Sequence, residues 1–331
     1  MKKILLLDTA VATLNMGDEI IGQSIRRQLD GLFRNHYMIT LPSHTPLYTT
    51  WQQLLYPGNM KVYAHADLKF LCGTNALYTN MLRPLPQWNI HLGNHRLVQN
   101  TICLGVGLGC KSKKVNLYTK RLYRNVLSRQ YAHSVRDDET KQFLERLGYQ
   151  AWNTGCPTLW SLTPAHCKNI PTAKSDRVVF TLTHYMADEQ NDQKMIEILQ
   201  NNYREIYFWP QCFEDLSYLK CLGKDKGVTI LPPNLRAYDE LLRTEIDYVG
   251  NRLHGGIFAL QHKRRSIILS IDYRAENMSR TYSIPILKRE NVSDLLERKI
   301  RSSFETSILG LDFELIERWK EQFMDDEDTF S

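Results

Sequence analysis

The feature that most constrains the fold is a series of short apolar runs with little polar alternation. KILLLDT, HYMITL, ADLKFLC, TICLGVG and AHSV lie in the first half, and RVVFTLT, REIYFWP, GVTIL, DYVGN and SIILSID in the second. A strand with one wet face alternates apolar and polar residues, whereas a continuously apolar strand is covered on both faces, as in a parallel sheet. Helical patterns separate the runs, among them GDEIIGQSIRRQLDGLF, VNLYTKRLYRNVLSRQ, RDDETKQFLERLG, LRAYDELLRTE and LHGGIFALQHK. Strand–helix alternation of this kind specifies parallel sheets clad in helices.

The alternation pauses at TPAHCKNIPTAKSD, residues 163–176, where prolines and polar residues replace periodicity and predict a linker. The expected organisation is an N-terminal Rossmann-like domain over 1–162, the linker 163–176, a C-terminal Rossmann-like domain over 177–300, and a helix with an acidic tail over 301–331. That last helix is expected to pack back across the linker. The fold class is α/β, two Rossmann-like domains facing a cleft, with ligands at the carboxyl ends of the strands.

No apolar run approaches the roughly 18 residues of a membrane span, and the apolar start of MKKILLLDTAVATLNMGDEI stops at Asp8, too early for a signal peptide. Seven scattered cysteines with no C-x-x-C pair read as core side chains of a cytoplasmic protein. HLGNH lacks the glutamate of a zinc protease, and no Walker A or G-x-S-x-G element occurs, so no metal or cofactor is expected. The net charge of +6 includes the clusters KSKK (111–114), KRLYR (120–124) and HKRR (262–265). These suit an anionic partner, although a solvated basic surface explains them equally. Their dispersal disfavours nucleic acid.

Four strand exits carry candidate chemistry. In LNMGDEII, Asn15 and Gly17 form a turn and Asp18 opens a helix; Asp18 either complements the helix dipole or accepts a proton from a hydroxyl. In GVGLGC, Gly105, Gly107 and Gly109 do not make a dinucleotide motif and read as strand-exit glycines. In SVRDDET, Asp138 or Glu139 caps a helix, while Arg136 can grip a carboxylate or phosphate through two parallel hydrogen bonds. In NRLHGG, Arg252 and His254 precede Gly255 and Gly256, which leave a helix N-terminus open to an anion. His254 is read either as a hydrogen-bonded structural residue or as part of a positive site.

NMGDEII, SVRDDET with LERLG, GCPTLW, and RLHGGIFAL followed by SIILSIDYR together resemble the polysaccharide pyruvyl transferase family, in its order and over most of the chain. The resemblance implies a glycosyltransferase B-like fold and transfer of a pyruvyl group from phosphoenolpyruvate (PEP) to a sugar, forming a ketal and releasing phosphate. It implies that Arg136, Arg252 and His254 contact PEP, that Leu253 shapes the loop, and that Gly255 and Gly256 keep the approach open. Asn15, Gly17 and Asp18 would lie across the cleft, on the acceptor side. The chain departs from the family at CGTNAL, where a run of glycines is usual, and in GVGLGC.

On this reading two arginines and a helix N-terminus match the charge of PEP without a metal. His254 is the general acid or neutralises the departing phosphate, Asp18 is the base and Arg252 the third catalytic group. The acceptor is a sugar of an oligosaccharide or polysaccharide precursor for a capsule or exopolysaccharide, carried on a polyprenyl diphosphate. Tyr118 and Tyr123 interleaved with Lys120, Arg121 and Arg124 suit anionic lipid at the inner face of the cell membrane, although an ordinary amphipathic helix fits the same text. The rival reading is a metal-independent glycosyltransferase of the same fold using a sugar nucleotide.

Overall fold

A computed structural model describes residues 1–45, 47–55, 57–82, 87–110, 114–271, 278 and 280–324. The chain divides into two compact units. The first comprises Met1–Thr13, Ile21–Trp160 and Asp312–Ser331, and the second comprises Leu14–Ile20 and Ser161–Leu311.

In the first unit, β1 (Lys3–Asp8), β2 (Tyr37–Pro42), β3 (Leu68–Cys72) and β4 (Thr101–Leu104) form a parallel sheet in the order β2-β1-β3-β4. A parallel bridge from Val106 to Val135 continues it to β5 (His133–Val135), which pairs with β6 (Ala151–Asn153). Strand β1 is buried from Ile4 onward, as its unbroken apolar text requires. The chain reverses direction across the sheet between β1 and β3.

In the second unit, β7 (Arg177–Thr181), β8 (Glu205–Phe208), β9 (Thr229–Ile230), β10 (Asp247–Gly250), β11 (Ser266–Ser270) and β12 (Ile286–Lys288) are parallel, in the order β12-β11-β10-β7-β8-β9. This is the Rossmann order, with its reversal between β7 and β10. Loops leaving these two strands diverge to opposite faces of the sheet and open a crevice at their carboxyl ends, where such sheets bind ligands.

Several elements differ from the sequence reading. The stretch 163–176 is not featureless: Thr163 caps a helix over Pro164–Cys167, its side chain accepting from His166 N. Leu14–Ile20 clusters with the second unit. Residues 301–331 do not act as one tail. Arg301 ends a helix of the second unit, and the helix Phe313–Glu321 belongs to the first. There Trp319 is buried against Phe70 and Trp160, and its indole N–H donates to Ala132 O at 2.7 Å. Strand β12 and the helices Thr50–Leu55 and Pro57–Ala64 lacked a clear sequence pattern. The acidic tail from residue 325, residues 111–113 of KSKK and residues 272–274 of SIILSIDYR lie outside the described residues.

The basic and aromatic clusters resolve differently from expectation. In KRLYR, Lys120, Arg121 and Arg124 are exposed, but Tyr123 is buried and exchanges hydrogen bonds with the backbone of Tyr78, N–H and C=O both at 2.9 Å. Tyr118 accepts from Leu92 N at 3.2 Å. Both rings are therefore structural anchors rather than headgroup contacts. In HKRR, Arg265 is buried, paired with Asp247 at 2.9 Å, and donates to the carbonyls of Lys299, Ile300 and Ser302. That cluster is partly core. None of the seven cysteines is in a disulfide.

Candidate functional site

The residues after β7 and β10 meet at the reversal point of the second sheet. The end of β10 comes close to β7 because Gly250 has no side chain; a Cβ there would lie 2.4 Å from Thr181 Oγ1. Beyond it the chain turns at Asn251 and Arg252 and enters the helix Leu253–Gln261. The N–H groups of Leu253, His254 and Gly255 precede the first helical hydrogen bond, from Gly256 N to Arg252 O at 3.0 Å. Such a turn carries the positive end of the helix dipole. Tyr248 Oη donates to Arg252 O at 2.8 Å and Tyr238 Oη to Gly255 O at 2.9 Å. Buried hydroxyls thus fix the helix start from beneath.

Gly255 and Gly256 have a different task from the one expected. A Cβ on Gly256 would lie 2.4 Å from Ile268 Cγ1, and one on Gly255 3.1 Å from Gln211 Oε1. The pair lets the helix lie against β11 and the segment after β8. The side chains are missing because the protein itself fills the space.

Arg252 is also placed differently. Its side chain is only 2% exposed. Nε donates to Leu182 O at 2.9 Å, and one terminal nitrogen, Nη2, reaches Asp215 Oδ1 and Oδ2 at 2.5 and 2.7 Å. Burial opposes the charge, but the Asp215 carboxylate, Cys212 and Tyr185 more than offset it and raise the guanidinium pKa above its ordinary value. The cation is held and neutralised within the unit by Leu182 O, Asp215 and the neighbouring Cys212. Arg252 is therefore half of a buried ion pair rather than an open cation.

Asp215 is the residue that sequence reasoning missed. It lies at the start of the helix Phe213–Cys221, where its carboxylate accepts from Cys212 N at 2.9 Å. The same group receives His184 N at 3.2 Å and His184 Nδ1 at 3.0 Å, besides Arg252. An acidic residue in a first helical turn reads as a cap, and nothing in CFED announces a partner 37 positions away. His184 and Tyr185 were legible by the strand-exit rule, since THY follows β7 after a single residue, Leu182. Behind them, buried Asn251 receives Thr183 Oγ1–H at 2.8 Å and donates to Asp192, itself held by Tyr218 Oη–H at 2.8 Å.

The segment expected across the cleft instead lies beside His254. Asn15 Oδ1 accepts from Gly17 N at 3.0 Å and from Gln211 Nε2 at 3.0 Å, while Met16 N donates to Gln211 O at 2.9 Å. This pins the turn that starts the helix Met16–Gln28, with Asp18 in its first turn. A Cβ on Gly17 would lie 2.8 Å from Gln211 Nε2 and 3.5 Å from His254 Nδ1. The missing side chain lets Gly17 approach the half-buried His254 within one unit, with Asn15 and Asp18 on the same turn.

Arg136 belongs to the first unit and follows β5. Its guanidinium lies flat on Gly107, where a Cβ would fall 2.2 Å from Nε, and Nη2 donates to Asn75 Oδ1. Asp137, 3.6 Å from Nε, caps the following helix by accepting from Thr140 N at 2.8 Å; Asp138 and Glu139, the expected caps, do not. Gly105 and Gly109 similarly make room, for Pro157 and for the Tyr78 ring. The glycines of GVGLGC are packing positions. Among the described residues no group of three or more His, Cys, Asp or Glu is arranged to hold a metal ion.

The family model described as Polysaccharide pyruvyl transferase matches residues 15–273, which contain every candidate residue above. The chain belongs to the polysaccharide pyruvyl transferase family. Its role is accordingly pyruvyl transfer in polysaccharide biosynthesis. Among solved structures, UDP-GlcNAc 2-epimerase from Methanocaldococcus jannaschii, in complex with UDP-GlcNAc and UDP, is similar with a TM-score of 0.51 at 15% identity, over 96% of this chain and 99% of that one. UDP-GlcNAc 2-epimerase from Neisseria meningitidis, bound to UDP-GlcNAc, gives 0.49 at 12% identity, over 97% and 100%. The likeness to the first shows the fold of this pyruvyl transferase, two Rossmann-like domains of glycosyltransferase B type. A search of curated proteins finds no match. No helix of the described residues is long and apolar enough to cross a membrane.

Proposed function

We propose that this pyruvyl transferase takes its pyruvyl group from PEP and places it as a ketal on a sugar of a polyprenyl-diphosphate-linked precursor of a capsule or exopolysaccharide. The observation that carries the reading is the convergence of His254, the N-terminal turn Leu253–Gly255 and the Asn15–Asp18 turn at the reversal point of the second sheet.

The proposed roles follow from the geometry. PEP carries a carboxylate and a phosphate, and backbone N–H groups at a helix start receive such oxygens. Buried Arg252 lends its positive charge to the site from behind the turn, while its donors to Leu182 O and Asp215 hold the loop. The family resemblance also assigns Arg136 to PEP; within the first unit it is flattened on Gly107 and steered by Asn75. His254 gives a proton to the PEP methylene, and Asp18 accepts one from a sugar hydroxyl, the kind of assistance worth roughly 10²–10⁴ in rate. These charges match PEP without a metal ion. The exposed Lys120, Arg121 and Arg124, beside Leu117 at 83% exposure, form a cationic face for anionic lipid at the cytoplasmic side of the membrane. Charge reversal at Lys120 and Arg121 is expected to weaken co-sedimentation with anionic liposomes; unchanged co-sedimentation removes the membrane contact.

The test is a thermal-shift series followed by mass spectrometry. PEP is expected to raise the midpoint, and candidate acceptors incubated with PEP are expected to gain one pyruvyl increment. Stabilisation by UDP, GDP or CMP, with none by PEP, would favour a sugar-nucleotide glycosyltransferase instead.

A further inference from the structure

Ketal formation from PEP moves two protons. The sugar loses one from each of two hydroxyls; one reaches the methylene carbon, making a methyl, and the other reaches the departing phosphate. Two carbon–oxygen bonds form to the pyruvyl carbon, and the bond to the phosphate oxygen breaks with its electron pair leaving on phosphate. His254 and Asp18 account for one hydroxyl and the methylene. The second hydroxyl and the phosphate need another group.

We infer that His184 is a second proton-transfer residue of this site, with its imidazole fixed by Asp215 and Nε2 as its working nitrogen. The inference rests on the PEP reading above. His184 is the third residue beyond β7, on the side of the reversal point opposite His254 in the sheet order. Its Nδ1 lies 3.0 Å from Asp215 Oδ1, and its backbone N–H donates to the same oxygen at 3.2 Å. Asp215 also carries the Arg252 ion pair and is therefore an ionised, acceptor-only group. The proton of the neutral ring accordingly sits on Nδ1, and Nε2 presents a lone pair. This carboxylate–imidazole arrangement selects tautomer and orientation as in nucleophile-activating triads. The ring is 29% exposed, unlike Asp215 and Arg252, so it is accessible to a ligand.

The groups around it are fixed. Glu214 Oε2 lies 3.8 Å from Nε2, and the Tyr185 ring meets His184 edge-on. Arg252 sits over Tyr185 and shares Asp215. Arg289 Nη1 donates to Met186 O at 2.5 Å and holds the far end of the same turn. Nε2 takes the proton of the second hydroxyl as that oxygen displaces the phosphate, and then passes the proton to the released phosphate, so the imidazole ends the cycle neutral.

The test compares wild type, His184→Asn and His184→Ala by steady-state kinetics with PEP and a sugar acceptor. The asparagine amide still donates to Asp215, so its fold serves as the control for packing. Both variants are expected to lose about 10²–10³ in kcat, with the Michaelis constant for PEP within about threefold of wild type. Imidazole in the buffer is expected to restore part of the His184→Ala rate, and the acidic limb of the kcat profile is expected to flatten. A kcat within about threefold of wild type, or a loss that imidazole leaves untouched with the pH profile unchanged in shape, overturns the assignment. A wild-type protein that does not turn over PEP overturns the donor reading and His184 with it. Normal His184 variants in a PEP-active protein overturn His184 alone.

Discussion

Replacing Asp215 by Ala tests whether Arg252 is held inside the second unit. The carboxylate is fully buried, accepts both Arg252 contacts at 2.5 and 2.7 Å, and also satisfies Cys212 N and His184 N. Its removal strands a guanidinium that is 2% exposed. Breaking a buried pair from one side costs about 3–5 kcal/mol. Each kcal/mol moves the midpoint of a unit of 150–250 residues by roughly 2–4 °C, so the expected drop is about 6–20 °C. Removing both charges is much less harmful, since a buried pair replaced by apolar groups of similar volume is often neutral. Asp215→Leu with Arg252→Met is therefore expected to recover most of the loss. Urea titrations of Asp215→Leu, Arg252→Met and the double variant close the cycle and isolate the coupling. If Asp215→Ala costs less than about 1 kcal/mol, Arg252 has no structural partner there, and the sequence-level picture of an open guanidinium returns.

Three further outcomes follow from the same geometry. His254→Ala is expected to lose about 10²–10⁴ in turnover at an unchanged melting midpoint; near-normal turnover removes it from the reaction. Gly107→Ala, which puts a methyl 2.2 Å from Arg136 Nε, is expected to raise the Michaelis constant for PEP several-fold with little change in stability. Buried His133 accepts from Cys103 N at 3.0 Å and lies 2.9 Å from Ser128 O; burial chiefly, against the Ser128 bond, lowers its pKa to about 4. Its native pKa lies below the unfolded value of about 6.5, so its stability contribution is complete above pH 6.5 and lost as the pH falls toward 4, amounting to about 3 kcal/mol at pH 4. An NMR titration showing His133 protonated near pH 6 contradicts this.

The parallel sheets were readable because strands buried on both faces leave unbroken apolar text, as in KILLLDT and RVVFTLT. Strand β12 and the helices between 50 and 64 were not, since edge strands and half-covered helices carry weaker patterns. His254 stood out because a strand exit followed by RLHGG is unusual on local grounds alone. Asp215 did not, because its importance lies in a pairing with Arg252 over 37 positions, while its local text is that of a helix cap. The placement of Asn15–Asp18 beside His254 also had no local signal. It depends on Gln211, which meets Asn15 over 196 positions. Two glycines were misread. At 255 and 256 the missing side chain makes room for the protein's own atoms rather than for a ligand.

The central claim is that an enol phosphate binds at the helix start Leu253–Gly255, against His254. A crystal structure of the protein with PEP tests it most directly. The account predicts PEP density with phosphate or carboxylate oxygens within hydrogen-bond distance of the Leu253–Gly255 backbone N–H groups and the methylene carbon facing the His254 ring. PEP bound away from the β7–β10 reversal point, or an empty site at saturating PEP, contradicts it.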